Sequence, residues 1–138
     1  LNPAPVPEEP LSMELLKKVT YLTPNQTEFS MIVGESDINR FLKEGPNAVV
    51  LTRGAEGVTL FDDEGKRKIP AFRAKAVDTV GAGDAFSGGF AASLAEGLPV
   101  EDALRFAQAA AAISVTRIGA QPSMPNRDEI LELMESKE

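Results

Sequence analysis

Residues 48–52, Ala48-Val49-Val50-Leu51-Thr52, are the clearest indication of how this 138-residue chain folds. The run is continuous, apolar and β-branched, which is typical of a strand buried on both faces of a parallel sheet. Gly45-Pro46-Asn47 breaks the pattern before it, and the turn Gly54-Ala55-Glu56-Gly57 follows. Strand and helix patterns alternate around this run and helices dominate the end, so the sequence predicts an α/β fold in one domain, residues 1–138.

Periodicity and capping residues predict the remaining elements. A hairpin is predicted from two short runs that flank Asp62-Asp63-Glu64-Gly65. The predicted strands are Tyr21–Thr23, Val58–Phe61 and Arg67–Pro70; the predicted helices are Ser12 to about Val19, Thr27–Val33, Ser36 to about Lys43, Ala82–Glu96, Glu101 to about Thr116 and Asn126–Ser136. Gly88-Gly89 predicts close packing of one helix against a neighbour, and the Ala-rich helix that follows it is predicted to be buried. In the last helix, the residues predicted to face inward are Ile130, Leu131, Leu133 and Met134.

The composition of the chain limits the kinds of functional site that these residues can form. The net charge of −7 argues against a nucleic-acid-binding surface, and the short basic run Lys66-Arg67-Lys68 is typical of a solvated turn. The chain has no Cys, which fits a reducing cytosol, and no His, which excludes histidine triads and imidazole zinc sites within it. Any acid–base chemistry in these residues must therefore use carboxylates, Lys or Tyr21.

The beginning of the chain is unusual. No stretch reaches the apolar length of a membrane span, and Leu1-Asn2-Pro3-Ala4-Pro5 lacks the pattern of a signal peptide. The first residue is not Met, and a Pro-rich turn of this kind normally follows a strand. We therefore expect the chain to be a fragment of a longer protein.

The segment Ala76-Val77-Asp78-Thr79-Val80-Gly81-Ala82-Gly83-Asp84-Ala85-Phe86 is the most informative about function. Gly81 and Gly83 let backbone N–H groups converge at the start of a helix, where an anion such as phosphate binds. Asp84 beside that site suits a general base, although a helix-capping role is an equal alternative. Asp78, six residues earlier, suits a cation ligand or a turn-stabilising acceptor.

Three further groups of residues suggest ligand binding, each with a structural alternative. Asn25 and Glu28 offer oxygen ligands for Mg²⁺, or the segment is a plain capping arrangement with Asn25 or Thr27 as the cap. Gly54 and Gly57 follow a buried strand, where ligands bind in open α/β sheets, or they form a plain turn. In Thr116-Arg117-Ile118-Gly119-Ala120-Gln121-Pro122-Ser123, carbonyls and the Ser123 hydroxyl suit a monovalent cation, or Gly119 simply ends a helix.

The order of these motifs resembles the carboxyl-terminal half of the ribokinase-like, or PfkB, carbohydrate kinases. The matching runs are NPAP, TPNQTE, TRGAEG, AVDTVGAGDAFSGGF and AAAISVTRIGAQPSMP, which together cover essentially the whole chain. DTVGAGDAF is highly specific for the family, and GAQPS is typical of its ribokinase-like branch. The resemblance implies a partial ribokinase-like three-layer α/β/α sandwich, without the lid.

The resemblance also implies a role for individual residues. Asp84 matches the catalytic base, and Gly81, Ala82 and Gly83 match the anion hole for the transferred phosphoryl group. Asn25 and Glu28 match residues that support Mg²⁺ and the ATP phosphates. Positions that match nucleotide contacts are Thr52, Gly54, Gly57 and, near adenine, Gln108. Positions that match the ligands of an activating K⁺ are the side chains of Asp78 and Ser123 and the carbonyls of Val80, Ser114, Arg117 and Gly119.

Two residues depart from the family pattern. Arg53 stands where an apolar residue is usual, so that its side chain changes the packing of the loop or reaches a phosphate. Gln108 stands where His or Asn is common, which leaves its contact with the base open.

The resemblance implies a cytoplasmic enzyme that transfers the γ-phosphoryl group of ATP to a sugar hydroxyl, with ribose as the favoured acceptor. Fructose, a sugar acid or a nucleoside are alternatives within the family, and a non-catalytic nucleotide-binding module is an alternative of another class. The family's amino-terminal half supplies most sugar contacts and the β-sheet lid, through which a homodimer forms. Those parts are absent from these residues, so we expect the fragment alone to be a weak or inactive kinase.

Overall fold

The computed structural model describes residues 1–34 and 36–136, and its central element is a four-stranded sheet in the order β1-β2-β3-β4. The strands are β1 Tyr21–Leu22, β2 Ala48–Thr52, β3 Val58–Asp62 and β4 Gly65–Ile69. The helices are α1 Met13–Leu16, α2 Gln26–Val33, α3 Ile38–Glu44, α4 Ala82–Ala95, α5 Val100–Ser114 and α6 Arg127–Glu135. Short 3₁₀ turns cover Gly54–Glu56 and Gln121–Ser123. The predicted α/β fold and the predicted hairpin are confirmed.

The sheet is mixed rather than wholly parallel. β1 runs parallel to β2, with Tyr21 opposite Ala48, whereas β2 runs antiparallel to β3, with Val50 opposite Leu60. β2 is nevertheless buried on both faces, as predicted, since its first four residues are all buried. The pattern of burial shows that a strand is central, but the direction of its neighbour depends on the connection, here a short turn instead of a crossover helix.

The chain separates into two compact units, residues 1–68 and residues 69–138. In the first unit, the core joins the sheet to the early helices through six buried side chains: Leu16, Val19, Leu22, Val33, Phe41 and Val49. In the second unit, α4 and α5 pack together closely. A Cβ atom on Gly89 would lie 3.3 Å from both the Ala107 Cα and the Ala110 Cβ, so this glycine allows the two helices to approach. At Gly88, nothing from outside its own helix turn in the described residues lies within 4 Å of the corresponding position, so of these two glycines Gly89 has the predicted packing role.

Several predicted helix ends differ from the structure. α3 begins after Asp37 rather than at Ser36, because the Asp37 carboxylate accepts the Asn39 N–H at 2.7 Å and also suits the positive end of the helix. α1 ends at Leu16 instead of Val19, and the chain continues in tight turns such as Val19 N–H to Leu16 O at 3.0 Å. In α6, Ile130 is buried as predicted, but Leu131 is exposed. Nothing in the local pattern distinguishes these alternatives.

Candidate active site

Gly81 determines how α4 begins. It occupies the N-cap position with φ of +82°, a left-handed conformation that glycine adopts at little cost. A Cβ atom here would lie only 3.0 Å from the Ala120 Cα, so both conformation and space require glycine. The turn before α4 is thereby fixed against the loop that follows α5.

Asp84 is not the cap of this helix. It is the third residue of α4, two positions beyond the first helical residue, and its side chain is exposed. Among the described residues, its carboxylate has no hydrogen-bond or ion-pair partner. The capping alternative is therefore wrong, and the carboxylate is free to act on a ligand.

The backbone around Asp84 offers unpaired donors. Within residues 1–34 and 36–136, neither the Gly83 N–H nor the Asp84 N–H has an acceptor, and Gly81 supplies no side-chain cap. Apart from its chain neighbours and the backbone of its own helix, nothing in the described part of the chain lies within 4 Å of a Cβ built on Gly83. Free N–H groups at the positive end of a helix, here one of 14 residues, are an arrangement suited to binding an anion.

Asp78 connects the turn before α4 to the loop that follows α5. Its Oδ1 accepts the Val80 N–H at 3.0 Å, and its Oδ2 accepts the Gly119 N–H at 2.9 Å. These two hydrogen bonds lower the pKa of Asp78, the bond from Val80 having the larger effect and the bond from Gly119 the next largest. Partial desolvation opposes them. Asp78 is thus a turn-stabilising acceptor that remains ionised, and its oxygens retain lone pairs for a cation.

The other predicted K⁺ positions belong to the same group of loops. Arg117 N–H donates to the Ser114 carbonyl at 3.1 Å, and the Ser123 hydroxyl, fully buried, donates to the Ala120 carbonyl at 2.6 Å. Gly119 has φ of +90° in this loop, but it does not end α5, whose C-cap is Val115. The predicted helix stop at Gly119 is therefore wrong, and the predicted K⁺ site stays a prediction.

In the first unit, Asn25 and Glu28 form a reciprocal cap at the start of α2. The Asn25 side chain accepts the Glu28 N–H at 2.9 Å, and Glu28 Oε2 accepts the Asn25 N–H at 2.8 Å. The capping alternative is confirmed here, and it holds the Glu28 carboxylate in a defined orientation with one oxygen left over. A single carboxylate with a neighbouring amide fits Mg²⁺, which takes few protein ligands when phosphates supply the rest.

Thr52 lies beside Asn25 at the carboxyl ends of the two parallel strands. The two residues are joined as an isolated β-bridge, and Thr52 N–H donates to the Pro24 carbonyl at 2.9 Å. Gly54 and Gly57 follow with φ of +55° and +95°, and nothing within 4 Å blocks Gly54. The carboxyl end of a parallel strand pair is where open α/β sheets bind ligands.

Gln108 lies in the second unit and does not have a free side chain. It is buried in α5, and its Nε2 donates to the Ile69 carbonyl at 3.3 Å. Its predicted contact with adenine stays a prediction.

Two partners in the site could not be recognised from the sequence. The Val115 carbonyl accepts the Val77 N–H at 2.7 Å, and the Ala120 backbone crowds Gly81. Both are backbone contacts between segments about 40 residues apart, which no side-chain motif marks.

No group of three or more acidic, His or Cys side chains among the described residues could hold a metal ion. Within residues 1–34 and 36–136, none of the helices is both long and apolar enough to cross a membrane.

Solved structures of similar proteins establish the fold class. A solved ribokinase from Thermotoga maritima superposes with a TM-score of 0.89 at 40% identity, covering 98% of this chain and 48% of its own. An Arabidopsis thaliana ribokinase, solved with ribose and ATP, gives a TM-score of 0.86 at 36% identity, covering 94% and 45%. The α/β fold is therefore that of the ribokinases, as predicted.

Sequence comparison then identifies the family. Residues 2–127 match the pfkB family carbohydrate kinases. The ribokinase of Bacillus subtilis is 45% identical over 134 residues, which is 97% of this chain and 45% of that enzyme. The chain belongs to the pfkB family of carbohydrate kinases, and it spans less than half the length of the curated relatives it matches first.

Proposed function

We propose that this chain is the carboxyl-terminal portion of an ATP-dependent carbohydrate kinase that phosphorylates ribose. The observation that carries the proposal is the unpaired Asp84 carboxylate beside the free N–H groups at the start of α4, in a member of a carbohydrate kinase family. The ribokinases to which the chain is 40–45% identical in sequence support ribose as the acceptor.

In the proposed reaction, Asp84 accepts the proton of a primary sugar hydroxyl. The hydroxyl oxygen forms a bond to the γ-phosphorus of ATP, and the bond between that phosphorus and the bridging oxygen breaks to release ADP. The proposed anion hole for the transferred group is the Gly81-Ala82-Gly83 turn. The Ala82 N–H donates to the Thr79 carbonyl at 3.2 Å, and the donors that the described residues leave free include those of Gly83 and Asp84. They are aligned before the reaction begins, because Gly81 and Asp78 fix the turn.

Asn25 and Glu28 are the proposed support for Mg²⁺, which would neutralise charge on the ATP phosphates. A solved ribokinase-like protein from Escherichia coli, 26% identical, is described as a complex with ATP and Mg²⁺. Thr52, Gly54, Gly57 and Gln108 are the proposed nucleotide contacts. All of these assignments come from the family resemblance, and the orientation of Glu28 and the open space at Gly54 support them.

K⁺ is the proposed activating cation. Its ligands would be the side chains of Asp78 and Ser123 with the carbonyls of Val80, Ser114, Arg117 and Gly119. The hydrogen bond between Asp78 and Gly119 supports this assignment because it joins the two loops that carry the ligands. A homodimer and a cytoplasmic location, also implied by the family, complete the proposal.

The test uses the full-length protein with ATP, Mg²⁺ and K⁺, and compares ribose with fructose, a sugar acid and a nucleoside. We expect ADP release to be fastest with ribose and ³¹P NMR to show ribose 5-phosphate. A preference for another acceptor would show that the kinase chemistry is as proposed but that ribose is not the substrate. ADP release that no acceptor stimulates would contradict the kinase proposal.

A further inference from the structure

Arg53 is the residue at the proposed nucleotide site that family resemblance does not explain. It directly follows Thr52 at the end of β2, and its backbone N–H donates to the Gly57 carbonyl at 2.8 Å. Two proposed nucleotide contacts, Thr52 and Gly54, are therefore its immediate neighbours. Its backbone is held by the same loop that they form.

Within residues 1–34 and 36–136, the guanidinium group of Arg53 has an ion pair but no hydrogen bond. The side chain is only 29% exposed, and its Nε is buried without an acceptor in that part of the chain. The ion pair is with Glu56, whose Oε2 lies 3.7 Å from Arg53 Nη1, beyond hydrogen-bond distance. By contrast, four other arginines donate hydrogen bonds to carboxylates: Arg40, Arg67, Arg117 and Arg127.

A partly buried guanidinium without acceptors is costly, and a ligand that supplies acceptors removes the cost. The planar fork of arginine matches the paired oxygens of a phosphate group. Glu56, 72% exposed and attached to the same turn, provides only a weak, solvent-screened attraction that a multiply charged phosphate chain can replace.

We propose that Arg53 binds the phosphate chain of the nucleotide, and that Glu56 competes with the phosphates for its guanidinium group. This inference rests on the proposed function, because it requires a nucleotide beside Thr52 and Gly54. It adds to the site a cation that the family pattern does not contain.

The experiment measures the binding of ATP and adenosine to the full-length protein by calorimetry. Arg53→Met keeps an unbranched stem of similar shape as far as the Nε position but removes the charged group, and we expect it to weaken ATP binding about tenfold or more. Adenosine binding should not change, since adenosine has no phosphate. Arg53→Lys should lose less than Arg53→Met, because it keeps a charge without the fork.

Glu56→Gln is the complementary variant. We expect it to tighten ATP binding several-fold in the wild-type background and to have no effect in the Arg53→Met background. Equal losses of ATP and adenosine affinity in Arg53→Met would show a packing role and overturn the proposal, as would unchanged ATP affinity. Wild-type protein that binds neither ligand would instead overturn the proposed function, and this inference with it.

Discussion

At the scale of single residues, two aspartates six positions apart have opposite environments. Asp78 uses both oxygens to hold backbone N–H groups, whereas Asp84 uses neither. An acceptor whose two oxygens both hold backbone N–H groups is suited to fixing a turn, and its remaining lone pairs can still face a cation. A carboxylate without a partner among the described residues is suited to proton transfer. The same side chain therefore has a structural role at one end of the turn and a proposed catalytic role at the other.

Asp84→Asn should reduce sugar-dependent turnover by about 10² to 10⁴-fold, since the amide cannot accept the proton. ATP affinity and the thermal midpoint should change little, because the Asp84 side chain has no partner within the described residues. The matched control is Asp102→Asn, which alters an exposed aspartate at the equivalent third position of α5. Coupled ADP-release kinetics and thermal denaturation provide the measurements; loss of folding in Asp84→Asn alone would contradict this account.

The lowered pKa of Asp78 makes stability depend on pH. A carboxyl whose folded pKa lies below its unfolded value, about 4, stabilises the fold above that value. The contribution is lost as pH falls through the folded pKa. Asp78→Asn should therefore lower the urea concentration at the unfolding midpoint at pH 7. In this variant the midpoint should also fall less between about pH 4 and pH 2 than it does in the wild type. Asp63→Asn, in the exposed hairpin turn, is the control, and parallel pH profiles for wild type and Asp78→Asn would contradict the linkage.

At the scale of elements, the start of α4 is the part of the site that depends most on backbone conformation. Gly81→Ala should destabilise the fold by about 1–3 kcal/mol, because alanine resists φ of +82° and its Cβ would meet Ala120. Gly83→Ala should be neutral or stabilising by up to about 1 kcal/mol, since its Cβ meets nothing in a helical position. Chemical denaturation measures both, and equal effects of the two substitutions would show that Gly81 does not fix the turn.

The sequence predicted the existence and the type of most helices and strands. Its errors lie mainly in where those elements begin and end. Asp37 rather than Ser36 caps α3, and Val115 rather than Gly119 ends α5. At α3 both Ser36 and Asp37 have capping chemistry, and the Asp37 carboxylate accepts the Asn39 and Arg40 N–H groups. Gly119 is needed for its bond to Asp78, 41 positions away, which local patterns do not contain.

At the scale of the whole molecule, the predicted site residues fall into two groups that the structure describes separately. Asn25, Glu28 and Thr52 lie in the first unit, and Asp78 and Asp84 in the second. The motif DTVGAGDAF indicated the family, and it contains residues with a defined conformational or chemical role, such as Asp78 and Gly81. For Arg53 the sequence left loop packing and a phosphate contact as alternatives, because the proposed choice between them depends on burial and on the absence of an acceptor for its Nε among the described residues.

The most direct test compares the 138-residue chain with the full-length protein in one assay of ribose-dependent ADP release. We expect turnover typical of an intact kinase from the full-length protein. We expect little or none from the isolated chain, because the part proposed to hold the sugar in line is missing from it. Equal turnover by the isolated chain would contradict its description as a partial kinase, and no ribose-dependent release by the full-length protein would contradict the proposed function itself.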